Sequence, residues 1–171
     1  MKTLFLNIFL VVWLVLPSLG HAVEGADILG EWVTEDGDCR VEIVKKGDRY
    51  FGKIAAIKPP NYLPDEISGM DGKPRLDSDN QDESLRSRPL VGIELMKDFR
   101  FGNDKWIGGK IYDPKNGKTY DCEMSLAGDG RLHVRGYVGV SLFGRTTVWE
   151  SAEVYLEKEM AFLGLAGCSC R

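Results

Sequence analysis

Beyond Leu29 the chain alternates apolar and polar residues with period two. The clearest run is Thr119 to Leu126, with Tyr120, Cys122, Met124 and Leu126 on one face and Thr119, Asp121, Glu123 and Ser125 on the other. Leu132, Val134, Gly136 and Val138 repeat the pattern against His133, Arg135 and Tyr137. Val41 and Ile43 alternate with Arg40 and Glu42, and Val91, Ile93 and Leu95 with Gly92 and Glu94. This period belongs to half-buried strands. Between the runs stand Asp36-Gly37, Gly47-Asp48, Asn103-Asp104, Asn116-Gly117 and Asp129-Gly130, residue types that tolerate the positive φ of tight hairpins. The pattern predicts eight strands, near 30–34, 39–45, 49–57, 90–98, 105–112, 118–126, 131–138 and 145–152. Strands joined in sequence by hairpins form a meander, and eight suffice for an all-β antiparallel barrel without open edges. A two-sheet sandwich is the alternative packing of the same strands.

Three segments depart from that rhythm. Lys2 precedes the apolar run Leu4–Leu16, then Pro17, Gly20 and the small-residue site before Ala22, the make-up of a secretory signal cleaved after residue 22. The run is shorter than the roughly 20 residues a membrane-spanning helix needs. Lys58 to Arg88 is a long connection holding Pro59, Pro60, Pro64 and Pro74. Loops of that length in compact domains tend to be functional or disordered, and this one is placed as a flap over one mouth of the barrel. Tyr62, Leu63, Ile67 and Met70 are its expected inward contacts, and Asp79 to Arg86 its expected short helix, capped by Ser78 or Asp79. From residue 154 to 171 the chain becomes a weakly apolar tail, either a short helix outside the barrel or a frayed end. The expected organisation is thus signal 1–22, barrel 23–153 and tail 154–171.

Charge narrows the partners. The chain has 26 acidic against 22 basic residues, whereas nucleic acid requires a basic face. Cys39, Cys122, Cys168 and Cys170 all follow the signal, and an oxidising compartment permits disulfides. Leu165-Ala166-Gly167-Cys168 resembles a lipoprotein cleavage box but lacks a charged start or apolar run before it. The second and sixth strands of a sequential eight-stranded barrel face each other across the interior. A Cys39–Cys122 bond, which needs Cα atoms within about 7 Å, is therefore not expected.

Few residues carry recognisable chemistry. Asp77-x-Asp79-x-Gln81-x-Glu83 has oxygen ligands at alternate positions, as calcium favours. Asp82 and Arg88 stand where such a loop needs glycine and glutamate, so the segment reads as a solvated acidic loop balanced by arginines. His133 lies between Arg131 and Arg135 on a polar strand face, with no partner fixed by motif for acid–base work. No metal site, cofactor or catalytic residue is expected. Arg135-Gly136-Tyr137 and Phe143-Gly144-Arg145 place arginines beside aromatics, a pairing that either recognises an anionic group or plugs and bends a barrel end.

The motifs Gly109-x-Ile111-Tyr112-Asp113-Pro114-x-Asn116-Gly117-Lys118-Thr119-Tyr120-x-Cys122, Val134-Arg135-Gly136-Tyr137-x-Gly139 and Ser141-Leu142-Phe143-Gly144-Arg145-Thr146-x-x-Trp149 come in that order. With Gly30-x-Trp32, Gly52-Lys53-Ile54 and Gly72-Lys73 before Asp77, they make Leu29–Glu150 resemble the exported bacterial family known as domain of unknown function 2147. Gln81 after Asn80 replaces the proline of many relatives, and the second hairpin lacks the cysteine pair some carry. The resemblance implies a calycin-like barrel and an envelope location. Gly30-x-Trp32 on the first strand and Arg145 on the last also echo the lipocalin type, in which an arginine stacks on the indole and closes one end.

The sequence therefore predicts a periplasmic or secreted β-barrel that touches the membrane only through its signal and binds no nucleic acid. Its expected function is non-enzymatic binding of a small, partly apolar or anionic ligand, with Trp32, Tyr120, Arg135, Tyr137, Arg145 and Trp149 as candidate binding residues. The alternative is a pocketless barrel that docks onto another envelope protein.

Overall fold

The computed structural model describes residues 22–164. The expected signal up to residue 21, the Leu165–Cys168 box and Cys170 lie outside the described residues. Eight strands follow one another: β1 Gly30–Val33, β2 Cys39–Lys46, β3 Arg49–Ile57, β4 Glu94–Gly102, β5 Lys105–Asp113, β6 Lys118–Leu126, β7 Leu132–Tyr137 and β8 Arg145–Ser151. Each pairs antiparallel with the next, and β8 returns to β1 to close the barrel. The closing seam is short, with Trp32 opposite Ser151 and Val33 opposite Glu150.

Seven strands fall within about two residues of their predicted bounds; β4 does not. It begins at Glu94 because Gly92 takes φ +95° and turns the chain before it. Val91 is consequently exposed, while the adjacent Leu95 and Met96 are both buried. Two register shifts between β3 and β4 replace simple alternation there, as bulges do. At the next turn Asn103 and Asp104 both take positive φ, the conformation that matches the twist of a two-residue hairpin.

The barrel has a closed end and an open end. At the closed end a single 3-10 turn, Gly25–Ile28, plugs the bottom. The Trp106 indole donates to the Gly25 carbonyl at 3.3 Å and the Trp32 indole to Ile28 at 2.8 Å. Tyr50 meets Trp106 edge-on with ring centres 6.3 Å apart, and Phe101 packs on it at 4.9 Å. Phe99, Met96, Met124, Leu132, Val41, Ile43 and Cys122 fill the space above them without solvent exposure beyond 2 %.

Arg145 does not stack on Trp32. Antiparallel pairing sets Trp32 against the far end of β8, at Ser151, so the indole lies at the closed end and Arg145 at the open one. The closing role expected of the arginine is filled by backbone carbonyls of the N-terminal turn.

After β8 the chain enters helix α1, Ala152–Phe162, whose cap Ser151 accepts the Val154 amide at 3.4 Å. It packs outside β1 and β8, with the Tyr155 hydroxyl beside Gly37 and Lys58 bridging to Glu159 at 3.4 Å. Only Ala152 is buried in it, and Phe162 is 91 % exposed. Cys39 and Cys122 are not joined.

The 58–88 connection is folded. Isolated bridges pair Asn61 with Pro74 and Leu76 with Pro89, and Arg75 clamps Glu66 through two 2.8 Å bonds. Instead of the predicted helix over 79–86 there is one 3-10 turn, Glu83–Leu85, capped by Asp82. Arg86 reaches back to the Asn80 carbonyl at 2.8 Å, and the Asn80 side-chain oxygen accepts the Asp82 amide at 2.9 Å, which bends residues 80–82 away from a helix. The loop seats on the β5–β6 hairpin at Gly117, which takes φ +68° and faces the Asp79 backbone so closely that a Cβ would collide with it. Gly117→Ala should therefore cost about 1–3 kcal/mol in urea denaturation. Amide exchange should accelerate in residues 74–88 more than in β6 or β7.

Candidate functional site

Above the packed floor the barrel is hollow. A cavity of about 1140 Å³ opens to solvent between the barrel rim and the 58–88 loop, large by the standard of small-molecule pockets. Ile54, Leu95, Ile111, Val134 and Trp149 form its barrel wall, and Tyr62, Ile67, Leu76 and Leu90 its loop side. Of the four inward contacts expected from the loop, Tyr62 and Ile67 line the cavity; Leu63 and Met70 do not. None of the fully buried floor residues lines it.

The loop wall is fixed by a buried carboxylate. Asp77 has no exposed surface, which corrects its reading as part of a solvated acidic loop. One of its oxygens accepts the Tyr112 hydroxyl at 2.5 Å. The other accepts Arg88 at 2.9 and 2.7 Å and the Asn80 amide at 2.7 Å. Burial and the Asp77 charge push the Tyr112 hydroxyl up to about 12, so it remains protonated and donates. Charge-assisted bonds of this kind are the strong ones, and they tie the loop to β5.

The rim carries paired charges. Lys115 donates to Asp36 at 2.8 Å and lies 3.9 Å from Asp38. Burial raises the Asp36 carboxyl, but bonds from Lys115, Thr34 and the Asp38 backbone outweigh it and hold the group at about 2. Cys39 lies at the same rim, where burial and Asp36 push its thiol up to about 12. Such a thiol is a poor nucleophile.

The structure separates the predicted site residues. Tyr120, Tyr137, Arg145 and Trp149 border the cavity. Trp32 does not, being held at the closed end. Arg135 points outward from β7, opposite Glu123 and Thr146 in register. There it binds the Ser141 carbonyl at 2.8 Å, the Leu142 carbonyl at 3.1 Å and the Thr146 hydroxyl at 2.8 Å. It thus clamps the single turn Ser141–Phe143 that leads into Arg145. Alternation along β7 already put Arg135 opposite in phase to Val134 and Gly136, so this placement was available from the sequence. His133 shares the outer face and borders a shallow depression with Glu123 and Arg135. Asp77, Asn80, Arg88, Tyr112 and Lys115 were not singled out as site residues. Their signal lay in the family resemblance, which included Tyr112, Asn80 and Asp77 after Gly72-Lys73; nothing marked Arg88 or Lys115. Among the described residues, no group of three or more His, Cys, Asp or Glu side chains is arranged to hold a metal ion.

The family described as an uncharacterized protein conserved in bacteria (DUF2147) matches residues 30–151. The chain belongs to that family. It is also similar to a solved structure, protein HP1028 from Helicobacter pylori, described as belonging to the lipocalin family. The two share 20% identity with a TM-score of 0.60, over 78% of this chain and 88% of that one. The likeness establishes the lipocalin-type barrel. No curated protein sequence matches the chain.

Arg88→Ala leaves a fully buried carboxylate without its cation and should cost about 3–5 kcal/mol in urea denaturation. Asp77→Asn removes the charge that needs compensating and should cost less; the reverse order would contradict the network. A second outcome concerns acid. Because Asp36 is depressed in the fold, the stability it contributes is present above its ordinary value of 3.8 and lost as pH falls toward about 2. NMR titration of the Asp36 carboxyl should show a midpoint well below 3.8, moving up in Lys115→Ala.

Proposed function

We propose that this member of the family is an exported envelope protein that binds a small, partly apolar ligand and performs no chemistry on it. The observation that carries the reading is the large, apolar-walled cavity in the upper half of a closed barrel, with the long loop fixed as its side wall. An eight-stranded barrel can be filled by its own side chains or hold one small ligand. A pocketless interaction module would have no need of a loop bonded at this cost over a hollow interior. The cationic start and short apolar run of residues 2–16 support export to the periplasm or beyond.

Titration with the neutral, environment-sensitive dye N-phenyl-1-naphthylamine tests binding directly. Saturable fluorescence enhancement at one site per chain is expected. Gly136→Leu supplies the control, because a Cβ at Gly136 meets only ordinary contacts with Ile111 and Tyr120, at 3.7 and 3.8 Å, and so points into open cavity. That variant should fold with unchanged circular dichroism and lose dye binding at least tenfold. Absence of saturable uptake by the wild type overturns the reading.

A further inference from the structure

Four cations border the cavity, and three are already neutralised. Lys58 pairs with Glu159, Arg75 with Glu66, and Lys115 with Asp36 and Asp38. Arg145 is different: among the described residues no carboxylate lies within ion-pair distance of it and no side-chain hydrogen bond engages its guanidinium. Its side chain is exposed to solvent at the rim, and by register it is in phase with the inner face of the barrel. The β7–β8 register pairs Leu132 with Trp149, Val134 with Thr147 and Gly136 with Arg145, and directly opposed residues share a face.

The surroundings of Arg145 form a seat. On the intervening strand Gly136 pairs with Arg145 on one side and with Cys122, two residues from Tyr120, on the other. It adds no side chain beside Tyr120, whose Cβ would lie 3.8 Å from a Cβ placed there. The Tyr120 hydroxyl accepts the Asn116 amide at 3.0 Å, which leaves its own proton free to donate. Below the seat the inner face of β8 carries Thr147, whose hydroxyl donates to the Val134 carbonyl and accepts the Trp149 indole, and then Trp149 itself, four residues along from Arg145 and thus about 13 Å deeper. The unspent donors are thus at the rim, and the one hydroxyl beneath them on β8 is already satisfied.

We infer that the cavity selects a monoanionic amphiphile, its carboxylate bound by the Arg145 guanidinium and the Tyr120 hydroxyl over Gly136 and its alkyl chain directed down toward Trp149. The guanidinium fork matches a carboxylate through two parallel bonds. This rests on the cavity being a binding site and assigns its ligand class. Of the cavity-lining carboxylates without an ion pair, Glu35 and Asp79 are exposed to solvent, where their field is strongly screened, and the half-buried Asp113 accepts the Lys115 backbone amide and the Asn116 side-chain amide.

The test is competition against the bound naphthylamine dye by three probes of one chain length: decanoate, decanol and decyltrimethylammonium. Decanoate should compete at least tenfold more strongly than decanol, and the ammonium least. The decanoate-to-decanol ratio should fall to about one in Arg145→Ala, recover in part in Arg145→Lys, and drop by a smaller factor in Tyr120→Phe. Equal competition by decanoate and decanol in the wild type, or preference for the ammonium, overturns the inference while leaving dye binding and the proposed function intact. Failure of the dye itself to bind removes both. A ratio unchanged in Arg145→Ala shows that another group holds the anion and also overturns it.

Discussion

The architecture of the open end depends on one buried carboxylate. Asp77 lies where charge is most costly, without exposed surface, and the fold surrounds it with a guanidinium, a phenol and an amide. Burial of an ion is tolerated only where partners fill its lone pairs. Those partners come from three places: Asn80 in the same loop, Arg88 at the loop's end and Tyr112 on β5. Satisfying the carboxylate therefore fixes both ends of the segment's last third against the barrel. Tyr62, Ile67 and Leu76 are brought to the cavity by the same constraint, because the loop's internal bridges tie them to that anchored stretch.

The two halves of the barrel divide stability from access. Below, aromatic rings interlock under a plug made by the N-terminal turn, and the fully buried apolar side chains lie there. Above, the same strands continue but their inward positions hold smaller or more distant groups, such as Val134, Gly136 and Thr147. A floor that is close-packed lets the upper half remain hollow without the barrel collapsing. The motifs that carry the family resemblance show the same division. The β5–β6 and β7–β8 hairpins and the Asp77 segment surround the mouth, whereas Gly30-x-Trp32 belongs to the closed end.

Strand order and most strand bounds were legible because the signals are local. The alternation from Thr119 to Leu126 and the turn pair Asn116-Gly117 are decided within a few residues, and β6 spans Lys118–Leu126. β4 was misplaced because Gly92 breaks the strand and the register shifts opposite Tyr50 and Gly52 depend on a partner strand. Asp77 was misread for a related reason. Composition makes an acidic, arginine-bearing loop look solvated, and only Tyr112, 35 positions away, reveals that the carboxylate is enclosed. The Trp32–Arg145 pairing failed on direction: neighbouring strands were inferred correctly, but antiparallel pairing of β1 with β8 sends the two side chains to opposite ends.

Direction also explains why two arginines on adjacent strands have different roles. Arg135 and Arg145 flank the same connection, and composition alone cannot distinguish them. Arg135 is out of phase with Val134 and Gly136, so it faces outward and spends its donors on Ser141, Leu142 and Thr146. Arg145 is in phase with Gly136, so it faces inward with its donors unspent. The outer arginine holds rigid the turn from which the inner one projects. Bonds to Ser141, Leu142 and Thr146 brace the backbone on both sides of Arg145, so the position from which its side chain leaves the rim is set by an arginine on the opposite face of the sheet.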